Sequence, residues 1–127
     1  MIQGGCFCGA IRYELDPTGG LIVNCHCTMC RKTSGAPYVT WIIVARDRFK
    51  LVAGEPGVLR SSDHGSRRFC TQCGTPITFT TTKRPENVDV TVGSLDDPAP
   101  CAPTEDVYIE GKLEWVHGLE SPPDSKA

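Results

Sequence analysis

The chain has 127 residues and a formal net charge of -2, a length that suits one domain with a moderate core. No basic cluster points to nucleic acid, and the longest apolar run, residues 38–45, is far shorter than a membrane-crossing helix requires. Thirteen glycines, ten prolines and 39% hydrophobic residues favour short strands and turns over long helices, and eight cysteines exceed what packing alone asks for.

Residues 1–5 carry neither a basic n-region nor an apolar h-region, so a cytoplasmic protein is expected. Thiols stay reduced there, and its cysteines read as metal ligands before disulfides. Gly4-Gly5-Cys6-Phe7-Cys8-Gly9 opens a strand that runs on to residue 15, with Ile11, Tyr13 and Leu15 on one face. Residues 16–20 form a turn, and residues 21–24 form a short strand that delivers Cys25. Cys25, Cys27 and Cys30 follow, and residues 28–35 fit a knuckle turn or a single helical turn. Residues 38–45 are β-branched and aromatic and predict a central strand. Further strands are expected over residues 49–52, 58–61, 77–82 and 86–93, the last with Val88, Val90 and Val92 on one face. Cys70-Thr71-Gln72-Cys73-Gly74 forms a second knuckle between them. Residues 107–109 predict a late strand and residues 113–116 a short packing element. The organisation is an all-β domain over residues 1–120 with a flexible tail at 121–127.

The cysteines fall into three groups: Cys6/Cys8, Cys25/Cys27/Cys30 and Cys70/Cys73. On extended backbone, residues i and i+2 point the same way, so Cys-x-Cys aims two sulfurs at one place and sends Phe7 or His26 to the other side. Cys-x-x-Cys on a tight turn converges two more, and Gly74 at positive φ lets backbone N–H groups turn toward them. Zn²⁺ collects thiolates at about 2.3 Å, so it rewards this density of sulfur. The simplest partition has two zincs. Cys6, Cys8, Cys70 and Cys73 close one structural site, and Cys25, Cys27 and Cys30 leave an open position on a catalytic one. Chain geometry alone also permits Cys25, Cys27, Cys70 and Cys73 to share a metal. A Cys27/Cys30 redox pair lacks a thioredoxin-like βαβ setting, and the spacing is not that of a ferredoxin.

The strings GGCFCGAIRYE, CHCTMCRKTSGAP and FCTQCGTPI, in that order, resemble the glutathione-dependent formaldehyde-activating (GFA) family, which shares its domain with centromere protein V. The resemblance covers roughly residues 4–115. It implies a β-tent fold similar to Mss4-like zinc proteins, built of short antiparallel strands with zinc knuckles. It implies the same partition: Cys6, Cys8, Cys70 and Cys73 on structural zinc, and Cys25, Cys27 and Cys30 on catalytic zinc. It also implies a carbon–sulfur lyase reaction, the reversible joining of a small-molecule thiol such as glutathione to formaldehyde as S-hydroxymethylglutathione. The alternative is a non-catalytic, zinc-stabilised binding module.

Other residues carry weaker signals. His26 is expected to point away from the metal into packing or to the surface. His64 is the better candidate for proton transfer, weighed against a solvated loop histidine. His117 is expected to be inert. Arg31 and Lys32 follow the three-thiolate motif and suit either charge compensation or a solvated turn. Ser34 and Gly35 are candidates for a pocket mouth. Trp41 and Phe49 read as core, and Cys101 as a loop thiol outside the motifs.

Overall fold

The strand Val39–Ala45 (β4) is apolar on both faces, and two layers form around it. The computed structural model describes residues 1–117 and Leu119; the expected tail at 121–127 lies outside the described residues. Ahead of β4 come Ile2–Gly5 (β1), Arg12–Leu15 (β2), Leu21–Cys25 (β3) and the helix Thr28–Ser34 (α1). After it come Phe49–Ala53 (β5), Gly57–Arg60 (β6), Gly65–Phe69 (β7), Pro76–Thr81 (β8), Asn87–Thr91 (β9) and Glu105–Val107 (β10). The architecture is mostly β, as expected.

One sheet has seven strands in the order β10-β3-β4-β9-β8-β7-β6, and the other has three in the order β1-β2-β5. All pairings are antiparallel except β10, which lies parallel to β3, so the expectation of purely antiparallel strands needs that correction. The parallel pairing is open to β10 because a connection of many residues, not a tight turn, brings it back to β3.

Alternation along β4 separates core from site. Ile42 and Val44 face the three-stranded sheet and pack with Ile11, Tyr13, Leu15, Val88 and Val90. Trp41 and Ile43 face the other way and join Val23, Cys25 and Cys30. Tyr13 is fully buried, and its hydroxyl lies 2.6 Å from Ser94 Oγ, so the phenol is satisfied inside the core.

Three local expectations change. Cys6 and Cys8 do not sit on a continuous strand. They occupy the turn between β1 and β2, where Gly9 N–H donates to the Cys6 carbonyl at 3.1 Å and Phe7 projects into solvent. The glycine pair hid β1, because glycine lacks the side chains that mark a strand. The late strand falls at Glu105–Val107, and Tyr108 instead turns in the left-handed region at φ 53. The knuckle after Cys27 is a seven-residue helix that ends at Gly35, whose φ of 73 supplies the left-handed cap. No helix among the described residues is long and apolar enough to cross a membrane.

Candidate metal centres and cavity

The structure gathers the seven motif cysteines into two groups, Cys6/Cys8/Cys70/Cys73 and Cys25/Cys27/Cys30, with the sulfurs in each group within 4.8 Å of one another. The alternative sharing of Cys25, Cys27, Cys70 and Cys73 does not occur. Cys8 Sγ lies 3.6 Å from Cys6 Sγ and 3.7 Å from Cys70 Sγ. A tetrahedral ion with sulfurs at about 2.3 Å places them roughly 3.8 Å apart, so the four-sulfur group fits a bound metal ion.

Two turns build that group. Cys70 and Cys73 lie between β7 and β8, where Gly74 takes φ 85 and donates its N–H to the Cys70 carbonyl at 2.8 Å. The N–H groups of Gln72 and Cys73 each reach Cys70 Sγ at 3.4 Å, and Ile11 N–H reaches Cys6 Sγ at 3.2 Å. These dipoles offset thiolate charge. The Thr75 hydroxyl, 3.3 Å from Cys73 Sγ, is the leading cause that brings the Cys73 thiol down to about 5.

The three-sulfur group is built differently. Cys25 ends β3 opposite Val39 of β4, on the face that carries Trp41. Cys27 caps α1, its sulfur accepting the Cys30 N–H at 3.2 Å, and Cys30 is buried one turn into the helix. Between them His26 is buried. Its Nε2 lies 2.8 Å from Asp106 Oδ1 and its ring 5.1 Å from that of Tyr38. His26 therefore takes the packing role expected of it. Its backbone N–H donates to the Val107 carbonyl, tying β10 to the metal motif. Gly111 completes this closure: a Cβ there would stand 2.5 Å from the His26 carbonyl oxygen. Burial raises the Asp106 carboxyl, but the hydrogen bonds from His26 and Leu119 N–H outweigh it and hold the group below the usual carboxylate range.

Arg67 is a residue that sequence reasoning missed. It is 8% exposed, and its two terminal nitrogens lie 3.6 and 3.7 Å from Cys30 Sγ. Its Nε donates to Ser61 Oγ at 3.0 Å, and its guanidinium covers the Phe79 ring at 4.7 Å. Arg67 pairs across strands with Phe79, which brings the two side chains to one face. Hydrogen bonds with Cys25 and then Cys27, aided by the Arg67 charge, bring Cys30 down to about 5 against the opposing effect of burial. Cys25 moves the other way, raised by its hydrogen bond to Cys30 and by burial. Cys30 thus ionises ahead of Cys25.

These sulfurs line a cavity of about 300 Å³ whose walls include Val23, Trp41, Ile43 and Phe79. Trp41 is both core and wall. Arg84 also lines it, donating to Asp89 at 3.2 and 3.0 Å; burial raises the Asp89 carboxyl while that fork opposes the rise. Phe49 packs in the core against Tyr13. His64 is exposed on the β6–β7 connection, with Nδ1 3.1 Å from Thr82 Oγ1, and is not part of the cavity lining. Arg31 and Lys32 fall in the last turn of α1, and neither they nor Ser34 and Gly35 line the cavity. Ser34 bonds the Cys30 carbonyl at 2.7 Å instead. Cys101 is buried in the core between the sheets and joins neither sulfur group, and His117 is exposed.

The model of the family described as glutathione-dependent formaldehyde-activating enzyme matches residues 1–111. The chain belongs to this family. A relative from Halomonas elongata, provisionally named a glutathione-dependent formaldehyde-activating enzyme, is 28% identical over 128 aligned positions, covering 91% of this chain and 80% of its own. A crystal structure of a Rhodobacter sphaeroides protein superposes with a TM-score of 0.69 at 20% identity, over 83% of this chain and 99% of that one. At that identity the likeness speaks to the fold alone, and it supports the two-sheet architecture.

Proposed function

We propose that this GFA-family chain is a zinc-dependent enzyme of the carbon–sulfur lyase type that reversibly joins a small-molecule thiol to an aldehyde. Cys25, Cys27 and Cys30 hold the catalytic zinc, and Cys6, Cys8, Cys70 and Cys73 hold a structural one. The observation that carries this reading is the contrast in closure. Four sulfurs make a complete set, whereas three lie on the wall of a cavity and, among the described residues, no fourth Cys, His, Asp or Glu joins them. Zinc bound there supplies a positive charge that keeps an entering thiol deprotonated near neutral pH.

The chain's own residues prepare the place for that thiol. Cys27 caps α1 and Cys25 closes β3, which fixes two sulfurs on rigid elements. Arg67 offsets the charge of three clustered thiolates through Cys30. The apolar walls keep water away from the reacting sulfur and aldehyde. In the addition, the thiol sulfur forms a bond to the aldehyde carbon and the C=O π pair moves onto oxygen. The proton lost from sulfur is made good at that oxygen from solvent. Cleavage is the same step reversed.

Formaldehyde and glutathione are the first pair to test, since the Halomonas relative's name specifies both. Exchange NMR on formaldehyde with a panel of thiols, with and without protein at two zincs per chain, should show faster interconversion of free and S-hydroxymethyl forms. No rate change with any thiol at full loading would sink the catalytic reading in favour of a zinc-stabilised binding module. X-ray absorption offers a second check: four sulfurs around both metals in substrate-free protein would contradict an open position.

A further inference from the structure

Three large apolar side chains stand exposed at the rim of the three-cysteine cavity: Leu21 at 44%, Met29 at 47% and Tyr108 at 61%. They continue outward the apolar wall formed by Trp41, Ile43 and Phe79. Exposed apolar surface gathered around a concave site marks a place that a ligand covers. Tyr108 is also the one non-glycine residue among those described with positive φ, so its ring is held at this rim by a backbone conformation that costs on the order of 1 kcal/mol.

The cations of the cavity are already engaged. Arg67 directs both terminal nitrogens at Cys30 and its Nε at Ser61. Arg84 is forked onto Asp89, which is buried. A carboxylate entering the cavity must take one of these guanidiniums away from its partner, leaving a buried thiolate or a buried carboxylate unpaired. With a dication bound, three thiolates and Asp89 are balanced by the metal, Arg67 and Arg84, so the site exerts no net pull on an anion.

We propose that this cavity selects an uncharged thiol bearing an aromatic or branched aliphatic group, in preference to a peptide thiol with free carboxylates. The position of the sulfur rests on the thiol–aldehyde reading above. The preference for the attached group rests on the walls, the rim and the paired guanidiniums. An apolar group laid against Leu21, Met29 and Tyr108 removes its own surface and theirs from water, whereas glutathione brings two carboxylates and an ammonium to a cavity whose two lining guanidiniums are already paired.

The test separates binding from turnover. In cobalt-loaded full-length chain, the sulfur-to-metal absorption bands report thiol entry directly, so phenylmethanethiol and glutathione can be titrated side by side. Phenylmethanethiol should bind at least about tenfold more tightly. Leu21→Arg, at an exposed strand end that tolerates charge, should narrow the ratio by about fivefold or more through tighter glutathione binding. Glutathione binding as well as or better than phenylmethanethiol overturns the proposal, as does a spectrum that neither thiol perturbs. If the order of affinities holds while neither thiol accelerates formaldehyde exchange, the catalytic reading fails and the selectivity stands.

Discussion

The two cysteine groups neutralise charge in different ways, and on the proposed reading the difference separates a staple from a working site. The four-sulfur group is surrounded by turn N–H donors: Ile11 on Cys6, and Gln72 and Cys73 on Cys70. It sits where the three-stranded sheet meets the β7–β8 end of the large one, and it includes the exposed Cys8. Backbone dipoles are fixed by the turns themselves, and four sulfurs leave no position for anything else. In the three-sulfur group Cys30 N–H donates to Cys27 at 3.2 Å, and the Cys27 backbone opposes the rise of the Cys25 thiol. The group's compensating charge comes from Arg67, on a strand far along the chain, and one side stays open to a cavity. A closed set with local donors needs little from the rest of the fold. An open set must borrow its counter-charge from elsewhere, and that makes it adjustable.

The largest expected effect breaks the staple. Cys70→Ser removes a sulfur that is buried and receives two backbone donors. Structural zinc contributes on the order of 10 kcal/mol to folding, comparable with the whole stability of a domain. The variant should lose its cooperative thermal transition by circular dichroism. A variant that keeps a sharp transition would show that the core between the sheets suffices without the metal.

Cys27→Ser makes the matching cut in the other group. Serine is a good helix N-cap, so it can still accept the Cys30 N–H that Cys27 now accepts. The fold should persist with Tm lowered by a few degrees. Metal content should fall from two per chain to one, with loss of thiol–formaldehyde exchange, read by elemental analysis and NMR together. Loss of both metals would mean that the two groups are not independent.

Arg67→Met tests the borrowed charge. Removing one partner of a buried ion pair costs about 3 kcal/mol, since the remaining charge is left unpaired. The three-cysteine metal should leave about 10- to 100-fold faster, followed with a chromogenic chelator, while the four-cysteine metal keeps its rate. Lysine should rescue poorly, because an ammonium cannot direct two nitrogens at Cys30 while covering Phe79. Equal acceleration at both metals would assign Arg67 a purely structural role.

Arg67 also shows where sequence reading stops. Period-two patterning exposed β2, β4 and β9 because their faces alternate or are apolar throughout, and the cysteine spacings exposed both sulfur groups. No strand is expected from the sequence over Ser66-Arg67-Arg68-Phe69; β7 forms there, and its alternation turns the two arginines opposite ways. Alternation does not say which faces Cys30, because that depends on the register of β7 on β8 and on how far the sheet extends past β9. The structure buries Arg67 and exposes Arg68. A lone arginine turned inward on a strand beside a thiolate group is the signal that could have been sought. Asp106 was hidden for the same kind of reason. It meets His26 across eighty residues of chain only because β10 returns parallel to β3, a pairing with no local mark.

The smallest expected effect concerns the rim, where function opposes stability. Tyr108 holds a left-handed backbone without being glycine, at the point where β10 gives way to the turn that covers His26. Tyr108→Gly relieves that strain but adds freedom to the unfolded chain, so the net gain should be small, roughly 0.5 kcal/mol in a urea titration. The same change strips an aromatic ring from the cavity mouth, and phenylmethanethiol should bind about threefold to tenfold more weakly to the cobalt-loaded protein. Glutathione affinity should scarcely move, because the ring offers it no charged partner. Opposite signs in stability and apolar-thiol binding, with glutathione as the control, would tie the strained backbone to ligand selection. A loss of stability together with an equal loss for both thiols would make Tyr108 a structural brace for β10 instead.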